Sequence, residues 1–172
     1  MRLILLFVVS QLWLSACSNQ SNIAPAIPQL SQQALDQKSF ATGYQVTLQT
    51  YRGQIDFNYP IKDFNQGVAD WFAGRYPDGI AQLKQDLYAK GIGYTKTIFS
   101  YYSGVIFAAE LSQNLNYMGC EKVDFLSLRQ GIGEAMQDLQ RGKLREDDAY
   151  LEQGMDLMFS VCQEVRKSTL KK

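Results

Sequence analysis

The feature that most constrains this chain is a glycine set inside a helix, written twice. Residues Ile61 to Gly74 read IKDFNQGVADWFAG, with apolar residues at helical spacing and Gly67 in the middle. Val123 onward reads VDFLSLRQGIGEAMQD, with Gly131 in the same place. A glycine in a helix interior costs about 1 kcal/mol against alanine. Its use twice implies a backbone approach that a side chain would block.

Helical spacing covers the chain from about residue 35. Six stretches carry it: 35–53, 60–73, 79–90, 94–117, 123–140 and 146–168. The first presents Tyr44, Leu48 and Tyr51, the second Ile61, Phe64, Val68 and Trp71, and the third Ile80, Leu83 and Leu87. The fourth is apolar on most sides and is expected to be the most buried. The fifth presents Phe125, Leu128, Ile132 and Met136; the sixth presents Leu151, Met155, Met158, Cys162 and Val165. These intervals are the amphipathic signature, and no run alternates as a strand would. The expected class is all-α.

The six helices read as two triplets. Phe40-Ala-Thr-Gly43 matches Tyr101-Tyr-Ser-Gly104, and Phe64-Asn-Gln-Gly67-Val-Ala-Asp70 matches Leu128-Arg-Gln-Gly131-Ile-Gly-Glu134. The reading is a tandem duplication, repeat one over about 35–91 and repeat two over about 94–168. Gly43 and Gly104 are expected at one helix crossing, Gly67 and Gly131 at another.

The amino terminus reads as a targeting segment. Residues 1–16 have a basic start and a short apolar run, and the LSAC motif ends at Cys17. That run is too short to span a membrane. The motif resembles the lipobox of bacterial lipoproteins, which implies cleavage before Cys17 and lipidation of its thiol. Ser18 in place of aspartate implies the outer membrane by the same resemblance. Residues 17–33 are polar and proline-containing, the composition of a tether. The helical domain is expected over 34–172.

Composition removes several functions. There is no histidine, so the serine-histidine-aspartate and cysteine-histidine arrangements are excluded. With Arg2 removed, the 17 basic residues become 16 against 17 acids, which gives no footprint for nucleic acid. Beyond Cys17, Cys120 and Cys162 form an even pair in an oxidising compartment, where a disulfide is expected. No metal and no cofactor are expected. Glu146, Asp147, Asp148 and Glu152 could be read as carboxylate chemistry, but acids at a helix start ordinarily offset the macrodipole. The adjacent pairs Trp71–Phe72 and Tyr101–Tyr102 point more than one way, so one of each could lie on a binding surface.

The second half resembles the amino-terminal dimerisation domain of the FKBP-type peptidyl-prolyl isomerases of bacteria, the Mip-like proteins. Tyr102-Ser103-Gly104, Asp124 with Leu128 and Gly131, Gly142-Lys143, and Leu144 with Glu146-Asp147-Asp148 stand at that family's motif positions. Phe40, Gly43, Phe64, Gly67, Asp70, Gly74 and Pro77 do so in the first half, so the likeness covers most of residues 38–160. Arg145 departs from the family's serine or threonine there. The resemblance implies helices exchanged between two copies, here within one chain as a single-chain pseudo-dimer. It carries over no isomerase activity, because the isomerase domain is absent. The functional expectation is a non-catalytic lipoprotein that binds another envelope or secreted protein as a chaperone-like or scaffold module, with a homodimer as a further partner state. A periplasmic immunity or inhibitor lipoprotein that blocks a toxic enzyme is the alternative.

Overall fold

The computed structural model describes residues 35–89, 93–120 and 122–169. The expectations for the signal segment, Cys17 and the tether lie outside the described residues, as does the side chain of Val165. The elements are α1 (Gln37–Tyr51), α2 (Ile61–Phe72), α3 (Ala81–Ala89), α4 (Lys96–Tyr117), α5 (Phe125–Arg141) and α6 (Ala149–Thr169). Among the described residues there is no strand, and the fold is all-α. None of these helices is long and apolar enough to cross a membrane.

Local chemistry sets the helix starts. Asp36 and Asp124 cap α1 and α5, accepting the N–H of Ser39 at 2.9 Å and of Ser127 at 2.7 Å. The two caps also interlock. The Asp36 N–H donates to Ser127 Oγ and the Asp124 N–H donates to Ser39 Oγ, each at 2.9 Å. Orphan N–H groups at both helix starts are thereby satisfied across the interface. Near the starts of α2 and α4 the direction of the bond reverses. Pro60 has no N–H, so Ser100 Oγ donates to its carbonyl instead, at 2.8 Å. Helix α6 begins at Ala149 and not at 146, because Asp148 is its cap. Its Oδ1 accepts from the N–H of Tyr150 at 2.9 Å and of Leu151 at 3.4 Å.

Each close crossing pairs a helix of the first triplet with one of the second. Helix α1 packs on α5 and α6, α2 on α4 and α5, and α3 on α4. Paired starts, with Tyr44 bonded to Asp138 further on, make α1 and α5 run in the same direction. Pro60–Ser100 and Trp71–Ser112 show the same for α2 and α4. Where α1 crosses α5, a Cβ on Gly43 would meet the Leu128 carbonyl and one on Gly131 the Phe40 carbonyl. Where α2 crosses α4, a Cβ on Gly67 would meet the Tyr101 carbonyl and one on Gly104 the Phe64 carbonyl. The expected pairing is therefore corrected: Gly43 sits with Gly131, and Gly67 with Gly104. The equivalent glycines fall in different crossings because each triplet's first helix packs on the other triplet's second.

Burial follows from this arrangement. Phe64, Leu128, Ile132 and Met136 are fully enclosed in the main core, with Met158 of α6 against them. Tyr51 packs edge-on to Phe64 and Phe107, ring centres 5.3 and 5.4 Å away. A second cluster joins Phe40, Tyr44 and Leu48 of α1 to Ala135 and Leu151. Helix α4 is not the most buried. The unbroken buried run is Ser39–Tyr44 of α1, which is covered from two sides by α5 and α6, whereas Ile98 and Phe99 of α4 are exposed. The hydroxyls this encloses are satisfied locally: Thr42 and Thr47 donate to the carbonyls of Lys38 and Gly43, each at 2.7 Å. Phe125, placed on the inner stripe by its spacing, is 51% exposed at the first turn of α5.

Cys120 and Cys162 form a disulfide closing 42 residues of chain. Gly119, at φ 74°, turns the chain out of α4 and lets the Cys120 N–H reach the Leu115 carbonyl at 2.9 Å. This brings Cys120 against α6.

Two measurements check these claims. Gly131→Ala places a methyl on a backbone carbonyl that cannot swing aside, and is expected to lose about 3 kcal/mol, the upper part of the overpacking range, in denaturant unfolding. Gly133→Ala, two residues on, meets only the Asn65 side chain at 3.4 Å, and is expected to be neutral or to gain up to about 1 kcal/mol of helix propensity. Replacing both Cys120 and Cys162 with alanine is expected to cost about 2–4 kcal/mol in the same assay.

Candidate binding surfaces and the Asp70 network

All four residues of the two adjacent aromatic pairs are half-buried, and the members of each pair meet different neighbours. Trp71 turns inward and its Nε1 donates to Ser112 Oγ at 3.2 Å. Phe72 turns to the α5 side and packs on Phe125, ring centres 5.0 Å apart. Tyr101 lies between α2 and α3, while Tyr102 lies against Tyr94 at 5.8 Å. Tyr101 and Tyr102 touch, ring centres 5.4 Å apart, and Trp71 packs on the same cluster as Tyr101, while Phe72 is turned to α5.

Tyr101 belongs to a polar network around Asp70, which is 6% exposed. Tyr101 OH donates to Asp70 Oδ2 at 2.7 Å, and Tyr76 OH donates to Tyr101 OH at 2.9 Å. Gln66 Nε2 donates to Asp70 Oδ1 at 2.7 Å, and the Arg75 guanidinium lies 3.0 Å from the same oxygen. Burial, then the bonds to Tyr76 and Asp70, push the Tyr101 hydroxyl far above its ordinary pKa. It stays a neutral donor at any physiological pH. Both Asp70 oxygens are thus engaged, an arrangement that ties α2 to α4 and to the segment after α2. The half-buried Arg129 of α5 faces the same carboxylate electrostatically, and its Nε has no hydrogen-bond acceptor. Burial draws the Arg129 pKa down, with Asp70 opposing. The Gln66–Asp70 pair, four residues apart in sequence, was the available sign of this network. It has an echo in Gln130, which donates to Glu134 at 3.2 Å.

Two of the acids at the start of α6, Asp148 and Glu146, have structural partners. Arg145 lies over the rings of Phe40 and Tyr44, at 5.8 and 5.5 Å from their centres. It pairs with Asp148 at 2.5 Å and Glu134 at 3.5 Å. Burial alone would raise the Asp148 pKa, but the Arg145 bond and the Tyr150 N–H outweigh it and hold the carboxylate below its ordinary range. Glu146 pairs with Arg52. Tyr44 OH donates to Asp138 at 2.9 Å, and desolvation first, then Asp138, pushes its pKa up to about 12. Among the described residues no group of three or more acids, cysteines or histidines is placed to hold a metal.

Large apolar side chains are exposed at both ends of the bundle. At the end where α4 begins stand Ile98 and Phe99, 41% and 44% exposed, with Phe57 of the α1–α2 loop at 85%. Tyr94 and Tyr102 flank them in sequence. At the opposite end, α4 finishes and α5 begins. Tyr117, Met118, Phe125 and Leu126 are exposed there, beside the disulfide.

These features define a helical, disulfide-bonded protein. The chain belongs to a family of uncharacterised lipoproteins, whose model matches residues 33–164. The family places it among membrane-anchored lipoproteins. It is similar to an uncharacterized protein of Haemophilus influenzae, 36% identical over 162 residues that cover 87% of this chain and 90% of the relative. No solved structure matches. The resemblance to the FKBP-type dimerisation domain is thereby corrected, because the family matched over the same residues is the lipoprotein one. The motifs that carried it are glycines at helix crossings, a capping aspartate and a Gly-Lys turn. Any pair of closely crossing, capped helices needs such residues, so they recur without kinship.

The charge on Asp148 carries a pH test. Its folded pKa is depressed, so its contribution is present above the ordinary value of 3.8 and is lost as pH falls through the lower folded value. Asp148→Ala is expected to cost about 1–2 kcal/mol at neutral pH, as a lost helix cap. The gap to the wild type should narrow below pH about 4 in urea unfolding followed across pH.

Proposed function

We propose that this is a non-catalytic outer-membrane lipoprotein that binds another envelope or secreted protein as a scaffold or chaperone-like module. The observation that carries the reading is the exposed apolar group where α4 begins: Ile98 and Phe99, with the half-buried Tyr102 beside them and Phe57 at the same end. Aromatic and branched side chains held on a rigid bundle are the chemistry of a protein-binding surface. Lipidation at Cys17, with Ser18 after it, supports the outer-membrane assignment.

The platform under that surface is a single-chain pseudo-dimer. Each triplet's first helix crosses the other's second at a paired glycine, and Ser39 and Ser100 stand at corresponding places, Ser39 accepting from the Asp124 N–H and Ser100 donating to the Pro60 carbonyl. This pattern is what a duplicated three-helix unit with exchanged helices would produce.

The test is a cross-linking pull-down of the lipidated protein from its own envelope, comparing wild type with Phe99→Glu/Tyr102→Glu. The expected result is a set of envelope proteins present with the wild type and lost with the variant, whose circular dichroism is unchanged. Identical captures by both proteins would refute this surface. A single equimolar enzyme among the captured proteins would turn the reading to an inhibitor or immunity protein.

A further inference from the structure

The far end of the bundle has a different chemistry and a different neighbour. The described chain begins at Leu35, packed beside Phe40, and the Asp36 N–H is bonded to Ser127 at 2.9 Å. The tether therefore joins the fold one residue from Leu126, at the start of α5. Seventeen residues, 18–34, separate that point from Cys17. A coil of that length has an end-to-end distance of about 20–25 Å, no more than the width of a small domain. An anchor on Cys17 would hold the fold by this end, which favours it over the α4-start end as the face beside the lipid.

The same end carries the second apolar group. Phe125 is 51% exposed and packs on Phe72, while Leu126 is 37%, Met118 47% and Tyr117 94% exposed. Chain connectivity and the disulfide hold them together: Met118 and Phe125 stand two residues before and five after Cys120, which is bonded to α6. Side chains of this type sit at the headgroup boundary of bilayers, where aromatic rings and apolar tips are favoured. Lys122 is exposed among them. It is a cation suited to lipid phosphate.

We infer that the α5-start end of the bundle, formed by Phe72, Tyr117, Met118, Phe125 and Leu126, rests on the membrane surface to which the chain is anchored. The occupant is the headgroup layer of an anionic phospholipid bilayer, and the tether sets the orientation. The α4-start end is then turned away from the lipid. The inference rests on the reading of Cys17 as the lipidated residue, and goes beyond the proposed protein partner.

A tryptophan introduced at either end tests it. Lipidated Phe125→Trp and Phe99→Trp would each be reconstituted into phosphatidylethanolamine–phosphatidylglycerol vesicles, with and without acyl-brominated lipid. Quenching is read as the excess over the wild type, whose Trp71 gives the baseline. The expected result is that the emission added by Phe125→Trp falls by about half on brominated vesicles, as an interfacial ring requires. The emission added by Phe99→Trp is expected to be unchanged. No excess quenching in either variant, or quenching of the Phe99→Trp variant instead, would overturn the inference. Shielding of the Phe125→Trp fluorophore only on adding an envelope protein fraction would assign this end to a protein and equally overturn it. Intact mass of the purified protein reports lipid on Cys17 separately, so a failed anchor is told apart from a failed membrane face.

Discussion

Two backbone contacts organise this molecule. At the α1–α5 and α2–α4 crossings, carbonyl groups occupy the space where a Cβ of the opposing helix would stand. Contact at that range removes side chains from the centre of the interface and lets Phe40, Tyr44, Phe64 and Leu128 close around it. Because each crossing joins the two halves of the sequence, neither half has a core of its own. Phe64 of the first half and Leu128, Ile132 and Met136 of the second share one cluster. Dispersion and apolar burial, at about 1.5–3 kcal/mol for each enclosed large side chain, are therefore gained only when both halves are in place.

The crossings also fix direction. Helices α1 and α5 start together under interlocked caps, and α2 runs opposite to α5, with Tyr59 at one end of the pair and Phe72 at the other. One end of the bundle consequently gathers the start of α1, the disulfide and the Phe125 group. The other gathers the start of α4 and the Phe99 group. Polar networks around Asp70 and Arg145 lie along the sides and hold the outer helices in place. The proposed division of labour, lipid at one end and partner at the other, follows from this polarity.

Much of this was legible in the sequence because it is written in local signals. Helical spacing gave six helices, the mid-helix glycines marked crossings, and two cysteines in an exported chain indicated the bond the structure contains. What was not legible depends on which element meets which. The pairing of Gly43 with Gly131 required knowing that α1 packs on α5, and short motifs do not encode partners. Spacing placed Phe125 with Leu128 on one stripe, but a first-turn residue lies beyond the helix it would pack against. Asp148 looked like a candidate carboxylate until Arg145 and the Tyr150 N–H appeared beside it. The family likeness failed for the same reason: capping and crossing residues report helix physics more than descent.

Native-state hydrogen exchange measured helix by helix tests the central claim most directly. If the crossings bind the two halves into one unit, the slowest amides of α1, α2, α4 and α5 will open with a single free energy equal to that of global unfolding. Amides of α1 and α2 opening at a clearly lower free energy while α4 and α5 stay protected, or the reverse, would show two triplets that fold independently and would contradict the account.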